Sequence, residues 1–532
     1  MEKTKKQLSK KAKNIIISAV SVVIVLCLVF CSLFWDEILW DTKWFKEYSQ
    51  DADLKITIAV DKTFETFDGW GASACWWSQI LGDNENAEEV MKLLYSKEGL
   101  GLNIYRYNIG AGSSETEDTK ITDPWRKTES FYYYNEETSQ YEYDFTRDAN
   151  AQKCLDMALS YGCVDTVVLF ANSPHYTMTK NAQAYGNEEW WVSNIAPNQY
   201  EKYAEYFMEI TEYFLYEKGL ADKGIKVLIS PINEPNWSWG VEGNQRQEGC
   251  FYNSEDIYGV YRAFAKEIKE RNLPVLLSGP ESGEIGHRLY EWFEYIYNDA
   301  EIRPYLGTLA YHSYWSDDLV NNKIGLGNWL DEKEFNVPVE MSEWCHLPCT
   351  APIDSMDGAL LQARVIANDL EYTHANSWTA WVGVNGIGIG DDGKQYSDGL
   401  LVATDAEISD YIIPMRYYAM AHYSQFIPVG STRLYLEKNI NDLQETREVV
   451  DGEERIVSSR YTTNAVAYKR PDGKIVCVVV NEGVERKLDF NIDADKMTVY
   501  TTTELKQMAQ TYSGKVDEID LPARNIMTVV FE

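Results

Sequence analysis

The stretch "VLISPINEPNWSWG", residues 227 to 240, narrows the possible folds more than any other part of the chain. Strand-forming apolar residues, Val227 to Ile229, favour burial, and the sequence then changes abruptly to an amide, a carboxylate and a proline at 233 to 235. The stretch "VPVEMSEWC", residues 337 to 345, repeats this pattern around Glu343. Both patterns predict a buried strand whose carboxyl end presents a glutamate.

Short apolar strands alternate with amphipathic helical stretches from residue 67 to residue 414, which is typical of parallel βα units. Asn84 and Gly99 are expected to delimit one helix, and another is expected between residues 198 and 218. We predict eight strands, at 67–73, 103–108, 167–171, 226–232, 275–278, 308–312, 337–341 and 378–382. This is an α/β pattern, and it predicts a (β/α)8 TIM barrel over residues 67–414 with its active site at the carboxyl ends of the strands.

The pattern changes after Pro414, where "AVAYKRPDGKIVCVVVNEG", residues 465 to 483, gives two β-rich runs joined by a Pro-Asp-Gly turn. Further short strands are expected at 486–491, 497–502 and 525–531. Residues 415–532 are therefore predicted to form a β-sandwich side domain, joined by an N-terminal strand within residues 51–66.

The first 35 residues look like a membrane signal, because six lysines precede an uncharged run from Asn14 to Trp35. A helix of about 20 apolar residues can cross a bilayer, and lysines stay on its cytoplasmic side. We predict a transmembrane anchor that holds the remaining chain at the cell surface. A cleaved signal peptide, which would leave the protein secreted, is the alternative, although its apolar region usually has about 7–15 residues and ends in small ones.

Beyond that segment the chain carries 43 basic and 82 acidic residues, a formal charge of −39. So acidic a surface repels nucleic acid and anionic lipid headgroups, although the charge also simply keeps a protein soluble. We expect a neutral partner, no nucleic acid, and membrane contact only through the anchor. The cysteine spacings match no metal-ligand pattern, so no metal ion is expected.

Two glutamates at strand ends of one barrel could together hydrolyse a glycosidic bond. That reaction needs a proton donor for the leaving oxygen and a second carboxylate that attacks the sugar or activates water. Glu234 and Glu343 are the candidates. A glutamate at an arbitrary strand end is more often solvated or salt-bridged than catalytic. A catalytic role for this pair therefore needs support from the surrounding sequence.

The set of strand ends resembles glycoside hydrolase family 30, whose members have a barrel and a β side domain. The matching pieces follow the family order through nearly the whole chain after the N-terminal segment; they are "FDGWGAS" (67–73), "YRYNIGAG" (105–112), "SPINEPN" (230–236), "AYHSYW" (310–315), "EMSEW" (340–344), "SWTAW" (377–381) and "MAHYSQFIPVGSTR" (420–433). The resemblance implies a retaining glycosidase without cofactor, expected to act as a monomer. Glu234 is then the acid/base at the end of the fourth strand, and Glu343 the nucleophile at the end of the seventh.

Four more residues are implied around this pair. Arg106 is the natural cation to keep Glu343 charged, with an ordinary barrel-end salt bridge as the alternative. Asn233 would hydrogen-bond the sugar 2-hydroxyl. Tyr314 is implied as the partner of the nucleophile, whereas His312 could equally be a buried histidine that only satisfies its own hydrogen bonds.

Tryptophans are numerous at or just beyond the predicted strand ends, and sugar rings stack on aromatic planes. Sugar contacts are predicted for Trp70, Trp237, Trp378 and Trp381, of which Trp378 and Trp381 match positions of the family. Some of these indoles must instead belong to the core, because large aromatic side chains bury well wherever they fall.

The loop "NWSWGVEGNQRQEGCF", residues 236 to 251, together with "GWGASACWW", residues 69 to 77, is similar to the branch of the family that cleaves β-1,6-linked galactan. β-1,6-glucanase and xylanase activities are the alternatives within the family. An inactive surface carbohydrate-binding protein is the alternative from another class, although a pure binder needs neither glutamate. A tethered enzyme that acts on the organism's own envelope also stays open.

Overall fold

A computed structural model describes residues 53–116, 119–240 and 246–532. The predicted transmembrane anchor and its lysines lie outside these ranges. Among the residues that are described, none of the helices has both the length and the apolar character needed to cross a bilayer.

Eight parallel strands close into a barrel, as predicted. Each strand pairs with its neighbour in the chain, and the eighth closes the barrel on the first through the register pair Trp378 and Trp70. We number these strands 1 to 8 in chain order; they span Gly69–Ser73, Ile104–Asn108, Thr166–Phe170, Lys226–Ser230, Val275–Glu284, Leu306–Tyr314, Val339–Trp344 and Ser377–Ala380. Most of their residues are buried, because the barrel interior lies on one side and the helices cover the other.

Helices follow every barrel strand and bury one apolar face each. The helix after strand 3, for example, places Tyr203, Phe207 and Ile210 in the core. In chain order the helices are Ser78–Leu81, Ala87–Tyr95, Ala149–Ser160, Tyr200–Glu212, Ser254–Arg271, His287–Asn298, Val320–Lys333, Met356–Tyr372 and Met415–Ser424. The helix expected to be capped by Asn84 begins three residues later, because Asn84 accepts a hydrogen bond from the N–H of Asn86 at 2.7 Å and shapes the preceding turn.

The loops at the carboxyl ends of the strands contain small strands of their own. Tyr132–Asn135 pairs with Gln140–Tyr143 between strands 2 and 3. After strand 8, a hairpin pairs Gly388–Ile389 with Gln395–Tyr396, and a three-stranded sheet joins Val384–Gly386, Leu401–Ala403 and Tyr411–Ile412. These insertions build up the same end of the barrel at which the strands finish.

The side domain is a nine-stranded sheet that curls over its own core. Its strands, in spatial order, are Lys506–Lys515, Lys496–Thr503, Asn525–Phe531, Ile475–Asn481, Thr463–Lys469, Thr432–Lys438, Leu54–Thr66, Arg486–Asn491 and Ile519–Leu521. A separate hairpin joins Leu443–Val450 to Glu453–Tyr461. Phe490 and Phe531 come from strands that are not neighbours in the sheet, yet their ring centroids lie 5.0 Å apart. The two halves of the sheet therefore pack against each other, which gives the predicted β-sandwich.

The helix Met415–Ser424 joins the two domains. It follows strand 8, begins at the expected domain boundary and packs on the helix Met356–Tyr372 of the barrel. Its other side meets the side domain, where the ring nitrogens of His422 lie 2.7 Å from Oγ1 of Thr528 and 2.8 Å from Oγ1 of Thr502. Buried polar contacts thus fix the sandwich against the barrel.

Candidate active site

A cleft opens at the carboxyl ends of the barrel strands and encloses about 220 Å³. Its lining combines carboxylates, aromatic rings and arginines: Arg126, Glu234, Trp237, Trp239, Arg246, Gln247, Gly283, Tyr314, Trp315, Glu343, Cys345, Leu347, Trp381 and Asp398. This is the end of the barrel at which the fold places catalytic groups.

Glu234 and Glu343 meet in this cleft although strands 4 and 7 carry them. Glu343 lies within strand 7, whereas Glu234 follows strand 4 with a φ of 43°, and its N–H donates to the carbonyl of Glu281 at 2.9 Å. One carboxylate oxygen from each glutamate and a ring nitrogen of His312 all lie within 4.8 Å of one another. Two carboxylates this close can contact the same glycosidic bond.

Arg106, on strand 2, holds Glu343 in place. Its Nη1 donates to Oε2 of Glu343 at 2.6 Å, and its Nη2 donates to Oδ1 of Asn233 at 2.9 Å. The Tyr314 hydroxyl donates to Oε1 of Glu343 at 3.0 Å. Burial raises the pKa of the Glu343 carboxyl, and the positive charges of His312 and Arg106 oppose that rise.

His312, on strand 6, lies between three carboxylates. Its Nδ1 is 3.2 Å from Oε1 of Glu234 and 3.6 Å from Oε1 of Glu343, and its Nε2 is 3.1 Å from Oε2 of Glu281. Burial by itself would lower the pKa of this imidazole, but the carboxylates raise it to about 10. The three carboxylates thus favour the protonated imidazole, in which both ring N–H groups donate.

Glu281 belongs to the same cluster, although no sequence pattern singles it out. Strand 5 was expected to end at Ser278, but it continues to Glu284 through irregular pairing with strand 6. Ser230 donates to Glu281 at 2.8 Å, and Ser342 donates to its other oxygen. Burial would raise the pKa of this carboxyl, but Arg106, His312 and the hydrogen bond from Ser342 lower it to about 2.

Glu234, His312 and Glu343 are close enough to hold a metal ion. The Arg106 guanidinium, whose Nη1 lies 2.6 Å from Oε2 of Glu343, already places a positive charge beside these carboxylates, which opposes the binding of a second cation. The cluster is better suited to moving a proton than to binding a cation.

Two of the four predicted tryptophans line the cleft. Trp237 lies nearly parallel to Trp315, with ring centroids 6.1 Å apart, and the Trp381 ring lies 6.0 Å from the guanidinium carbon of Arg106. Trp315 is not among the predicted contacts, and nearly half of its side chain is exposed.

Trp70 and Trp378 are not available to a sugar, which corrects their predicted role. Both are buried at the second residue of their strands, at the end of the barrel opposite the cleft. The Trp70 indole donates to the carbonyl of Ile427 at 2.8 Å, and the Trp378 indole donates to Asp369 at 3.1 Å. Their large side chains fill the core.

Three further lining residues were not singled out from the sequence. Cys345 follows Glu343 by two residues, and its Sγ lies 3.6 Å from the Tyr314 hydroxyl. Asp398 comes from the loop after strand 8, and Arg126 comes from the loop after strand 2, where its guanidinium lies over the Trp76 ring. Loop residues of this kind carry no periodic signal that a sequence pattern could reveal.

Comparisons with known proteins agree with this architecture. Residues 53–402 match the family model "O-Glycosyl hydrolase family 30", and residues 454–529 match "Glycosyl hydrolase family 30 beta sandwich domain". An endo-β-1,6-galactanase from Hypocrea rufa is 22% identical over 471 residues, which is 84% of this chain and 85% of that protein.

Solved structures share the fold at low identity. A conserved exported protein from Bacteroides fragilis superposes with a TM-score of 0.72 at 24% identity, over 89% of this chain and 99% of that chain. The catalytic domain of xylanase C from Talaromyces cellulolyticus superposes with a TM-score of 0.64 at 20% identity, over 90% and 100% of the two chains. The family model covers more than half of the sequence, and the chain therefore belongs to glycoside hydrolase family 30 and is a glycosidase.

Proposed function

We propose that this glycosidase is a retaining enzyme that cleaves a neutral β-linked polysaccharide, with β-1,6-linked galactan as its substrate. The observation that carries the proposal is the placement of Glu234 and Glu343, with oxygens of the two carboxylates within 4.8 Å of each other across the cleft. At this separation one carboxylate can reach the anomeric carbon while the other reaches the glycosidic oxygen.

The charges around the pair indicate which glutamate carries the proton. Glu234, Glu281 and Glu343 surround two cations, Arg106 and His312, so full ionisation would leave one buried negative charge uncompensated. One proton removes that charge. Glu234 is the carboxyl best placed to carry it, because of these two cations only His312 pairs with it. Arg106 and Tyr314 bind Glu343, whereas Glu281 is bound by both cations and by two serine hydroxyls.

The reaction then follows in two displacements. An oxygen of Glu343 attacks the anomeric carbon, the glycosidic C–O bond breaks, and Glu234 gives its proton to the leaving oxygen. Glu234, now a carboxylate, takes a proton from water as that water attacks the same carbon and releases Glu343. Two inversions give net retention, and the proton returns to Glu234.

Arg106 and Asn233 act together during the first displacement. The arginine opposes the rise that burial causes in the pKa of Glu343, and it also fixes the carboxamide of Asn233 through a 2.9 Å hydrogen bond to its Oδ1. The Nδ2 of Asn233 lies 3.2 Å from Oδ1 of Asn172. A carboxamide fixed beside the nucleophile is suited to bind the 2-hydroxyl of the sugar, a contact that strengthens in the transition state.

The likeness to the Hypocrea rufa galactanase supports the substrate, because it extends over most of both chains. The acidic chain, with a formal charge of −34, also favours a neutral polysaccharide. β-1,6-glucanase and xylanase are the alternatives within the family.

Product analysis tests the proposal most directly. The purified protein is incubated with β-1,6-galactan, β-1,6-glucan and xylan oligosaccharides, and the first anomer released is identified by proton NMR. We expect cleavage of the galactan series with the β-anomer formed first, and no cleavage by Glu343→Gln. Release of the α-anomer first would contradict the double displacement. Preference for glucan or xylan would change the assigned substrate but not the mechanism.

An inactive carbohydrate-binding protein is the alternative from another class. It predicts that the parent protein hydrolyses none of these glycans and that Glu343→Gln still binds one of them. The cell-surface location through an N-terminal anchor also remains a proposal. Fractionation of expressing cells, followed by detection of the chain in membrane and culture medium, tests whether it is anchored or secreted.

A further inference from the structure

Exposed aromatic side chains are concentrated at the cleft end of the barrel. Across the described ranges, eight aromatic residues are counted as exposed, and six of them lie in segments that follow strands 2, 3 and 6: Tyr134, Tyr141, Tyr143, Trp190, Trp191 and Trp315. Only Phe64 and Tyr216 of this exposed group lie elsewhere. Large apolar side chains left in solvent on one face mark a binding surface.

Trp190 and Trp191, the tryptophan pair, stand out within this group because they lie outside the cleft. Trp191 is 59% exposed and Trp190 is 38% exposed. Their rings meet edge to face at 5.8 Å, and the Trp190 ring contacts the buried Phe251 ring at 6.1 Å. The pair is therefore supported from below by the core, with the Trp191 ring largely in solvent.

The segment that carries the pair is built against the wall of the cleft. The N–H of Gly249 donates to the carbonyl of Ala184 at 2.9 Å. The backbones at Asn187 and Gly240 approach so closely that a Cβ on Gly240 would lie 1.8 Å from the Asn187 carbonyl oxygen. Trp237 and Trp239, in the same loop after strand 4, line the cleft itself. The pair thus continues the aromatic lining beyond the cleft.

We propose that the tryptophan pair is a distal platform for the polysaccharide chain, which binds sugar units that extend beyond the cleft. The proposal rests on the proposed function, because its ligand is the same β-linked polymer. Indole rings offer flat apolar faces for sugar C–H groups and an N–H for a hydroxyl. Within residues 171–199, the exposed large hydrophobic side chains are these two indoles. The segment therefore does not present the aliphatic surface on which another protein would dock.

The first test compares long and short substrates. We would measure kcat/KM on soluble β-1,6-galactan and on a short galacto-oligosaccharide for the parent, for Trp190→Ala/Trp191→Ala, and for Tyr216→Ala. Tyr216 is 57% exposed but lies at the end of the helix after strand 3, away from the loops. The ratio of polymer to oligosaccharide kcat/KM should fall at least fivefold in the double variant and stay within twofold in Tyr216→Ala.

The second test separates the platform from catalysis. Glu343→Gln, with and without the double substitution, is run through native gels containing β-1,6-galactan, β-1,6-glucan or xylan, and is sedimented with phosphatidylcholine vesicles. Retardation in at least one polymer that the double substitution weakens, without binding to vesicles, supports the platform even if the parent hydrolyses none of the polymers. Unchanged retardation, retardation in no polymer, or vesicle binding that depends on the pair would overturn it.

Discussion

Arg106 and Glu343 form a buried ion pair between strands 2 and 7, with Nη1 of the arginine 2.6 Å from Oε2 of the glutamate. Both side chains are at most 3% exposed, so neither charge is solvated by water. A buried pair is tolerated when its remaining hydrogen-bonding groups find partners, and here Asn233 and Tyr314 supply some of them. The pair therefore ties the charge of the proposed nucleophile to a residue 237 positions away in the chain.

The first prediction concerns the pH profile of Arg106→Gln. Without the guanidinium, the pKa of the Glu343 carboxyl should rise, because burial then acts with less opposition. The acid limb of kcat/KM, which reports ionisation of the carboxylate pair, should move up by about one pH unit, and kcat/KM should fall on the order of 10²-fold. Initial rates between pH 3 and 9 measure both effects.

Arg262→Gln is the matched control, because Arg262 pairs with Asp299 on the surface and is 48% exposed. Its acid limb should coincide with that of the parent. An acid limb in Arg106→Gln that stays where it is, or moves to lower pH, would show that the arginine does not set the ionisation of Glu343.

The second prediction identifies the nucleophile. Glu343→Ala should lower kcat about 10⁴-fold or more while the protein stays folded, because no side chain is left to form the glycosyl-enzyme. Azide is small enough to enter the vacated space and should restore turnover of an activated aryl glycoside. The product should be the α-glycosyl azide from a β-glycoside, identified by NMR. A β-azide, or rescue of Glu234→Ala with inversion instead, would reverse the two roles.

The third prediction concerns the acid. Glu234→Ala removes the proposed proton donor, so substrates with poor leaving groups should lose far more activity than aryl glycosides whose phenols leave without protonation. A series of aryl glycosides with phenols of different acidity should show a steep dependence of kcat/KM on leaving-group pKa in the variant. Equal losses along the whole series would contradict an acid role for Glu234.

The barrel and the ends of strands 4 and 7 could be predicted because their signal is local. In "VLISPINEP" and "VPVEMSEW" an apolar run stops at a glutamate, and the parallel barrel brings such ends to one side whatever their distance in sequence. Glu281 was missed although it also follows an apolar run, because strand 5 continues through irregular pairing past the expected end. Its role depends on contacts from strands 4, 6 and 7, which no local pattern contains.

The tryptophans show where prediction from a local sequence pattern fails. Trp70 and Trp381 both lie near a strand, but a barrel strand has a core end and a cleft end only a few residues apart. Trp70 occupies the second position of strand 1 and is buried, whereas Trp381 follows strand 8 and reaches the cleft. A shift of three residues thus separates a core side chain from a cleft side chain, which is within the uncertainty of a strand boundary read from sequence.

The fourth prediction concerns the charge on His312. Glu281→Gln preserves the size of the side chain but removes one of the three carboxylates that raise the pKa of the imidazole. The pKa of His312 should therefore fall from about 10. Ring nitrogen chemical shifts of protein labelled with ¹⁵N-histidine, followed between pH 5 and 10, report this change. Glu284→Gln, in the same strand but exposed, should leave the titration unchanged, and identical titrations in the two variants would contradict the assignment.

The last prediction concerns stability at the junction of the two domains. His422 is fully buried between Thr502 and Thr528, and burial lowers its pKa to about 3. An unfolded histidine titrates near pH 6.5, so the contribution of His422 to stability is complete above about pH 6.5 and is lost as the pH falls toward 3.

His422→Ala should lower the free energy of unfolding by about 2–4 kcal/mol near pH 7.5, because it leaves a cavity and two hydroxyls without this partner. The gap between parent and variant should narrow at pH 4.5, with thermal unfolding at the two pH values as the measurement. A gap of the same size at both would mean that the imidazole is not held neutral by the fold.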